Sequence, residues 1–298
     1  MMANHSSWTP WLPLENAWRG NLLPDVGGLY RIRTTGQLLL DYIGQSGTGT
    51  MTIRKRLAML RGIYAAVMPL CDPHVAGPGL WALLQDRQTP FEVSVMQLPG
   101  VDVAARKGQE SLEVSLHRQE HGVSPTINFG RMPLGYIRSS HNNAKLQLAG
   151  KVFRGDRSTT SLLDYHQPGI PPVGTLDANC HGPSWCGHSW GAWTIASDAS
   201  VRPPTRQASG LYRFRRHGEP TLVYVGQGRV ADRNASHLKK GTTEGHPQQG
   251  HFQDPDSLEV SWVLSREWLD HQRLELENDL IAAHVFAFGC PPSAQFLG

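Results

Sequence analysis

Apolar and polar positions alternate with period two along Gly28-Leu29-Tyr30-Arg31-Ile32-Arg33 and, after a break at Gly36, along Leu40-Asp41-Tyr42-Ile43-Gly44-Gln45. These runs of β-branched and aromatic residues predict two short strands in a hairpin, with Tyr30 and Ile32 on one face and Arg31 and Arg33 on the other. The pattern returns at Gly210-Leu211-Tyr212-Arg213-Phe214-Arg215 and Leu222-Val223-Tyr224-Val225-Gly226-Gln227. The offsets, 210 − 28 = 182 and 224 − 42 = 182, require no gap. A Trp-x-x-Trp pair precedes each copy at the same offset, Trp8 with Trp11 and Trp190 with Trp193. Because Trp buries a large area with one polar handle, the pair reads as packing over the hairpin rather than as a base-stacking platform. A repeat of this length means a duplicated domain, not a solenoid.

Behind each hairpin the period lengthens. Ile53, Leu57, Leu60 and Tyr64 stand at helical spacing with Thr50 or Thr52 as N-cap. Residues 230–238 form the matching helix, in which Arg233 and His237 share a face at i, i+4. Residues 68–90, rich in Pro and Gly, read as a loop, as does the shorter, His-rich stretch 241–255. Third strands are expected over residues 91–96 and 258–263, and final helices over about 106–120 and 267–287. The unit is thus ββαβα, and the fold class is α+β: two small units, each a short antiparallel sheet flanked by helices. They occupy residues 7–131 and 189–298. Residues 132–188 have no internal counterpart and read as a basic, Pro- and Gly-rich connector, irregular in structure.

Composition narrows the class without fixing it. At 298 residues and 39% hydrophobic, the chain can bury two cores, and 28 Lys and Arg against 25 Asp and Glu give only a mild basic bias, compatible with a nucleic-acid partner. No run approaches the roughly 18 apolar residues of a membrane helix. Four cysteines are scattered, and residues 1–13 show neither a basic start nor an apolar run, so a reduced, cytoplasmic protein is expected.

The paired Gly-Leu-Tyr and Tyr-[Ile/Val]-Gly motifs resemble the GIY-YIG nuclease family, and four-fifths of the chain takes part in the likeness. The resemblance implies metal-dependent cleavage of phosphodiester bonds in double-stranded DNA, with Mg²⁺ or Mn²⁺ as cofactor. It assigns Tyr30 or Tyr212 to accept a proton from the attacking water and Tyr42 or Tyr224 to position groups by hydrogen bonding. The family's Arg matches Arg56, 14 residues after Tyr42, and Arg233, 9 residues after Tyr224. A planar, permanently charged fork suits two phosphoryl oxygens. The family's helical Glu, the metal ligand, matches Glu277 in Glu277-Asn278-Asp279-Leu280-Ile281 and, less closely, Glu113 in Glu113-Val114-Ser115-Leu116-His117, with Glu110 one turn earlier as competitor. Mg²⁺ prefers hard oxygen ligands and keeps several waters, so one carboxylate plus a phosphate can hold it. Asn128 matches the family's Asn, whereas copy 2 has Gln295. His237 stands four after its Arg, and copy 1 has Leu60 there. With both sets in one chain, a monomer is expected to cut both strands.

Two other constellations carry weaker signals. Cys180-His181 and Cys186-x-His188 have the residue types of a zinc site but not the spacing of a finger, which favours free thiols in a connector. Gly44 to Gly49 lacks the Lys-Ser/Thr ending of a phosphate loop. The alternative from another class is a DNA clamp without activity in one or both copies, gripping through Arg31, Arg33, Arg213, Arg215, Lys239 and Lys240.

Overall fold

Each alternating run folds as the strand that its period predicts. The computed structural model describes residues 7–71, 74–158, 162–198, 203 and 205–297. Copy 1 contains β1 (Leu12–Pro13), β2 (Gly28–Thr34), β3 (Tyr42–Ser46), α1 (Ile53–Ala58), α2 (Gly77–Arg87), β4 (Phe91–Gln97) and α3 (Val103–His121). Then come β5 (Tyr136–Ile137), α4 (Ala144–Leu148) and β6 (Asp156–Arg157). Copy 2 contains β7 (Thr194–Ile195), β8 (Ser209–Arg216), β9 (Leu222–Arg229), α5 (Val230–Gly241), α6 (Gln249–Phe252), β10 (Leu258–Leu264) and α7 (Asp270–Phe288). The chain is mixed α and β, and its two larger sheets are four-stranded, in the orders β1-β4-β2-β3 and β7-β10-β8-β9. All their pairings are antiparallel.

The structure adds elements to the ββαβα expectation: α6 lies in the stretch 241–255 read as a loop, β5, α4 and β6 lie in the connector read as irregular, and two further places differ. A short leading strand, β1 or β7, follows each Trp pair and zips onto the third strand. Two residues give too little alternation to be read. The stretch taken as a loop contains α2, because its opening Gly77-Pro78-Gly79 looks like a breaker. A proline in the first helical turn costs no hydrogen bond, and beyond it Leu80, Trp81, Ala82 and Leu83 are all buried.

Equivalent contacts give the exact correspondence of the copies. Ile53 N donates to Val26 O as Val230 N donates to Ala208 O, an offset of 230 − 53 = 177. Phe91 and Leu258 open the third strands at 258 − 91 = 167. Copy 1 is therefore five residues longer before α1 and ten longer between α1 and β4.

The chain divides into two compact units. One is Met1–Arg106 with Ser124–Pro168, and the other is Lys107–Val123 with Gly169–Gly298. The boundaries fall within α3 and within the expected connector, so the stretch 132–188 is shared between the units instead of standing alone. In unit 1, Tyr30 and Ile32 pack with Ile53, Leu57, Leu80, Trp81, Val93 and Val95. On the opposite face of the sheet, Arg31 lies 4.5 Å from the Trp8 ring and 4.8 Å from the Trp11 ring, and Arg33 lies 4.0 Å from Trp11 while bonding Glu92 at 2.6 Å. Copy 2 repeats the device with Arg213 over Trp190 and Trp193, and with Arg215 over Trp193 and paired to Glu259. The Trp pairs therefore stack on arginines. Arg213 is fully buried and donates to Cys180 O and Gly182 O. It cannot grip DNA as the clamp reading requires.

Candidate active site

Strand register brings the motif residues together. Tyr30 pairs with Gly44 across β2 and β3, and Tyr212 pairs with Gly226 across β8 and β9. A Cβ at Gly44 would stand 2.5 Å from Tyr30 Oη, and one at Gly226 would stand 2.3 Å from Tyr212 Oη. Glycine is required because each phenol lies directly over the strand opposite. The first motif glycines have a different reason: a Cβ at Gly28 or Gly210 would meet the carbonyl oxygen of Met96 or Val263 at 2.1 or 2.0 Å. The second tyrosine lies beside the first, with ring centroids 6.1 Å apart for Tyr30 and Tyr42 and 6.2 Å for Tyr212 and Tyr224.

A histidine joins each tyrosine pair. In copy 2 it is the expected His237, whose Nε2 lies 3.1 Å from Tyr212 Oη and whose ring centroid is 4.4 Å from that of Tyr224. In copy 1 the helical position is filled by Leu60, a core residue with no exposure. His74, just before α2, takes the place instead, with Nε2 3.0 Å from Tyr30 Oη and its ring 6.0 Å from both tyrosine rings. Sequence reading missed it because it follows no helical or strand period. Both imidazoles are neutral near pH 7. Burial, then Lys240, Arg233 and His246, push His237 down to about 3, and burial, then Arg56, push His74 well below its ordinary value.

The arginines are held by short helices. Thr52 caps α1 by accepting from Lys55 N, which sets Arg56 near His74. Arg233 lies on the exposed side of α5. Its charge acts on Tyr212, Tyr224, His237 and Glu277. Burial holds the Tyr212 phenol well above its ordinary value and pushes Tyr224 up to about 12, Glu277 adding to both shifts. Glu277, on α7, is pushed up to about 8 by burial against the pull of Arg233. Tyr212, Tyr224, Arg233, His237 and Glu277 thus form one electrostatically linked group in unit 2.

The last-helix register of copy 1 differs from the reading on Glu113. Arg106 donates to Gln45 and to Val101 O as Arg273 donates to Gln227 and to Trp268 O, at 273 − 106 = 167. Four residues on, the counterpart of Glu277 is Glu110. Glu113 lies a turn further along α3 and accepts a hydrogen bond from Gln109. Spacing to the later amide carries the same signal: 128 − 110 = 18 and 295 − 277 = 18.

Asn128 braces the hairpin through its side-chain amide. Its side chain accepts from Ile43 N and donates to Ile43 O, both at 3.0 Å, fixing the strand that carries Tyr42 and Gly44. Gln295 accepts from Val225 N at 3.1 Å and does the same for Tyr224 and Gly226. The zinc-like residues do not converge. Cys180 and His181 are engaged with Pro220 O, and His188 packs on Trp190 and Trp268. Among the described residues, no group of three or more His, Cys, Asp or Glu is placed to hold a metal ion, and no helix is long and apolar enough to cross a membrane. Searched against family models, curated proteins and solved structures, the chain matches none of them.

Proposed function

We propose that the chain is a GIY-YIG-type endonuclease that hydrolyses phosphodiester bonds in DNA. The observation that carries this reading is the twofold construction of one Tyr-Tyr-His-Arg group, with the histidine drawn from a different part of the chain in each copy. A packing motif copied by duplication would have no reason to regain the same imidazole from another loop.

Glu277 suits a divalent cation: it is a single hard-oxygen donor, only partly exposed, raised by burial, and a bound cation would hold it ionised. Such a cation would supply charge neutralisation at the leaving oxygen. The chain's own groups do the rest. Tyr212, in the phenolate form that Arg233 and a bound cation would favour against the effect of burial, takes a proton from the attacking water while the phosphorus–oxygen bond to the leaving group breaks. His237 holds the Tyr212 oxygen, and Tyr224 hydrogen-bonds beside it. The Arg233 fork offsets charge on the non-bridging oxygens. Tyr30, His74, Tyr42 and Arg56 are the corresponding groups of copy 1, and the sequence counterpart of Glu277 by helix register is Glu110.

The test is supercoiled plasmid incubated with Mg²⁺ or with chelator. Cleavage only with the cation is expected, and Glu277→Ala and Glu110→Ala each lower the rate about 10²–10³-fold at their own site, whereas Glu113→Ala does not. Binding without nicking in the presence of the cation would defeat the proposal in favour of a clamp.

A further inference from the structure

The two tyrosines are not held by equivalent imidazoles. In copy 1, His74 Nδ1 accepts the Ala76 N–H at 3.3 Å, and His74 O accepts the Gly77 N–H at 3.0 Å, so a tight turn locks the ring at the start of α2. A neutral imidazole has one N–H. If Nδ1 is the acceptor, the proton is on Nε2, and Nε2 is the atom 3.0 Å from Tyr30 Oη. In copy 2, His237 Nδ1 is buried with no hydrogen-bond partner among the described residues, so no second bond selects its tautomer.

From this we infer that His74 is the positioning residue of copy 1, a fixed Nε2–H donor to Tyr30 Oη that stands in for the missing helical histidine. Donation of an N–H to the phenolic oxygen favours the phenolate over the phenol and turns the proton of the neutral form toward a different acceptor. Around Tyr30 this donor acts with Tyr42 from β3 and Arg56 from α1. Burial keeps His74 neutral, so the donor persists throughout the physiological range. The Leu60 position is occupied by core packing, and the ten extra residues between α1 and β4 supply the chain length that carries the imidazole back to the site.

The catalytic consequence rests on the nuclease reading, but the hydrogen-bond assignment does not, and the experiment separates them. Nitrogen-15 histidine spectra of the full chain, with His74 assigned by comparison with His74→Gln, should show its proton on Nε2. A proton on Nδ1 would overturn the inference whatever the activity. On a Glu277→Ala background, in which copy 1 alone cuts, His74→Phe should slow nicking about 10²-fold. His74→Gln, whose amide can still donate, should recover most of that loss at unchanged melting temperature. Equal rates for the Phe and Gln variants, both folded, would reduce His74 to packing. If the Phe variant fails to fold, the Gln rate and the tautomer spectrum still decide. If the parent does not cut DNA, the nuclease reading fails and the spectrum alone decides the His74 assignment.

Discussion

Gly226 and Asn128 show how much of the site is fixed by single atoms. Because a methyl group at Gly44 or Gly226 would overlap the facing phenol, Gly44→Ala and Gly226→Ala should each displace a tyrosine from its histidine, at about 1–3 kcal/mol for overpacking. Thermal melting checks the cost, and unchanged midpoints would mean that the phenols lie elsewhere. Asn128→Ala strands the N–H and C=O of Ile43, itself 1% exposed, at about 1–3 kcal/mol per group. Denaturant midpoints should fall further for it than for Gln295→Ala, which removes the bond to Val225 N. At this scale the sequence was legible where a residue type repeats at fixed spacing, as Tyr30, Tyr42 and their partners do, and for Arg56 through the order of residues despite five extra positions before it. Glu110 was within reach through its 18-residue distance to Asn128, but the Glu-x-x-Leu pattern pointed to Glu113. His74 had no signal, since its position depends on where a loop closes in space.

Among the elements, strands and last helices were readable because one face of each is buried, whereas α2 was hidden by Gly77 and Pro78 and β1 and β7 by their length. The segment 167–172, with three prolines, belongs to the stretch read as an irregular connector. It is anchored instead: Ile170 N donates to Glu275 Oε2 at 2.7 Å, and a Cβ at Gly169 would stand 2.2 Å from Glu275 Oε1. Glu275 also faces Arg118 at 3.7 Å, and Arg118 holds Asp279 through Nε and Nη2 at 2.9–3.1 Å. These charges are buried, Arg118 and Glu275 completely. Gly169→Val should therefore destabilise unit 2, seen as earlier exchange of the α7 amides by hydrogen–deuterium exchange. Protection equal to the parent's would return the segment to the status of a linker.

The whole molecule carries a predictable acid response. His237 is held at about 3, His117 and His188 at about 4, and His74 well below its ordinary value, burial being the first cause in each. Folded pKa values below the unfolded one near 6.5 mean that the unfolded chain binds more protons, so this stability is complete above about pH 6.5 and is lost as pH falls toward 4. Glu277, at about 8, acts in the opposite sense between pH 8 and its ordinary value of 4.5 but binds one proton against four. Metal-free protein should therefore melt highest near neutral pH and lower steadily below 6.5. A melting temperature constant from pH 7 to pH 5 would contradict the burial of these rings. A further consequence follows from the unit boundary inside α3. Arg118 lies in the first half of the sequence yet neutralises carboxylates in the core of copy 2, so the duplicated halves are no longer autonomous: a fragment spanning residues 169–298 would leave Glu275 and Asp279 without the cation they share, a defect of about 3–5 kcal/mol. Supplying residues 107–123 in trans should restore its folding, so the protein is separable by complementation but not by cutting at the repeat.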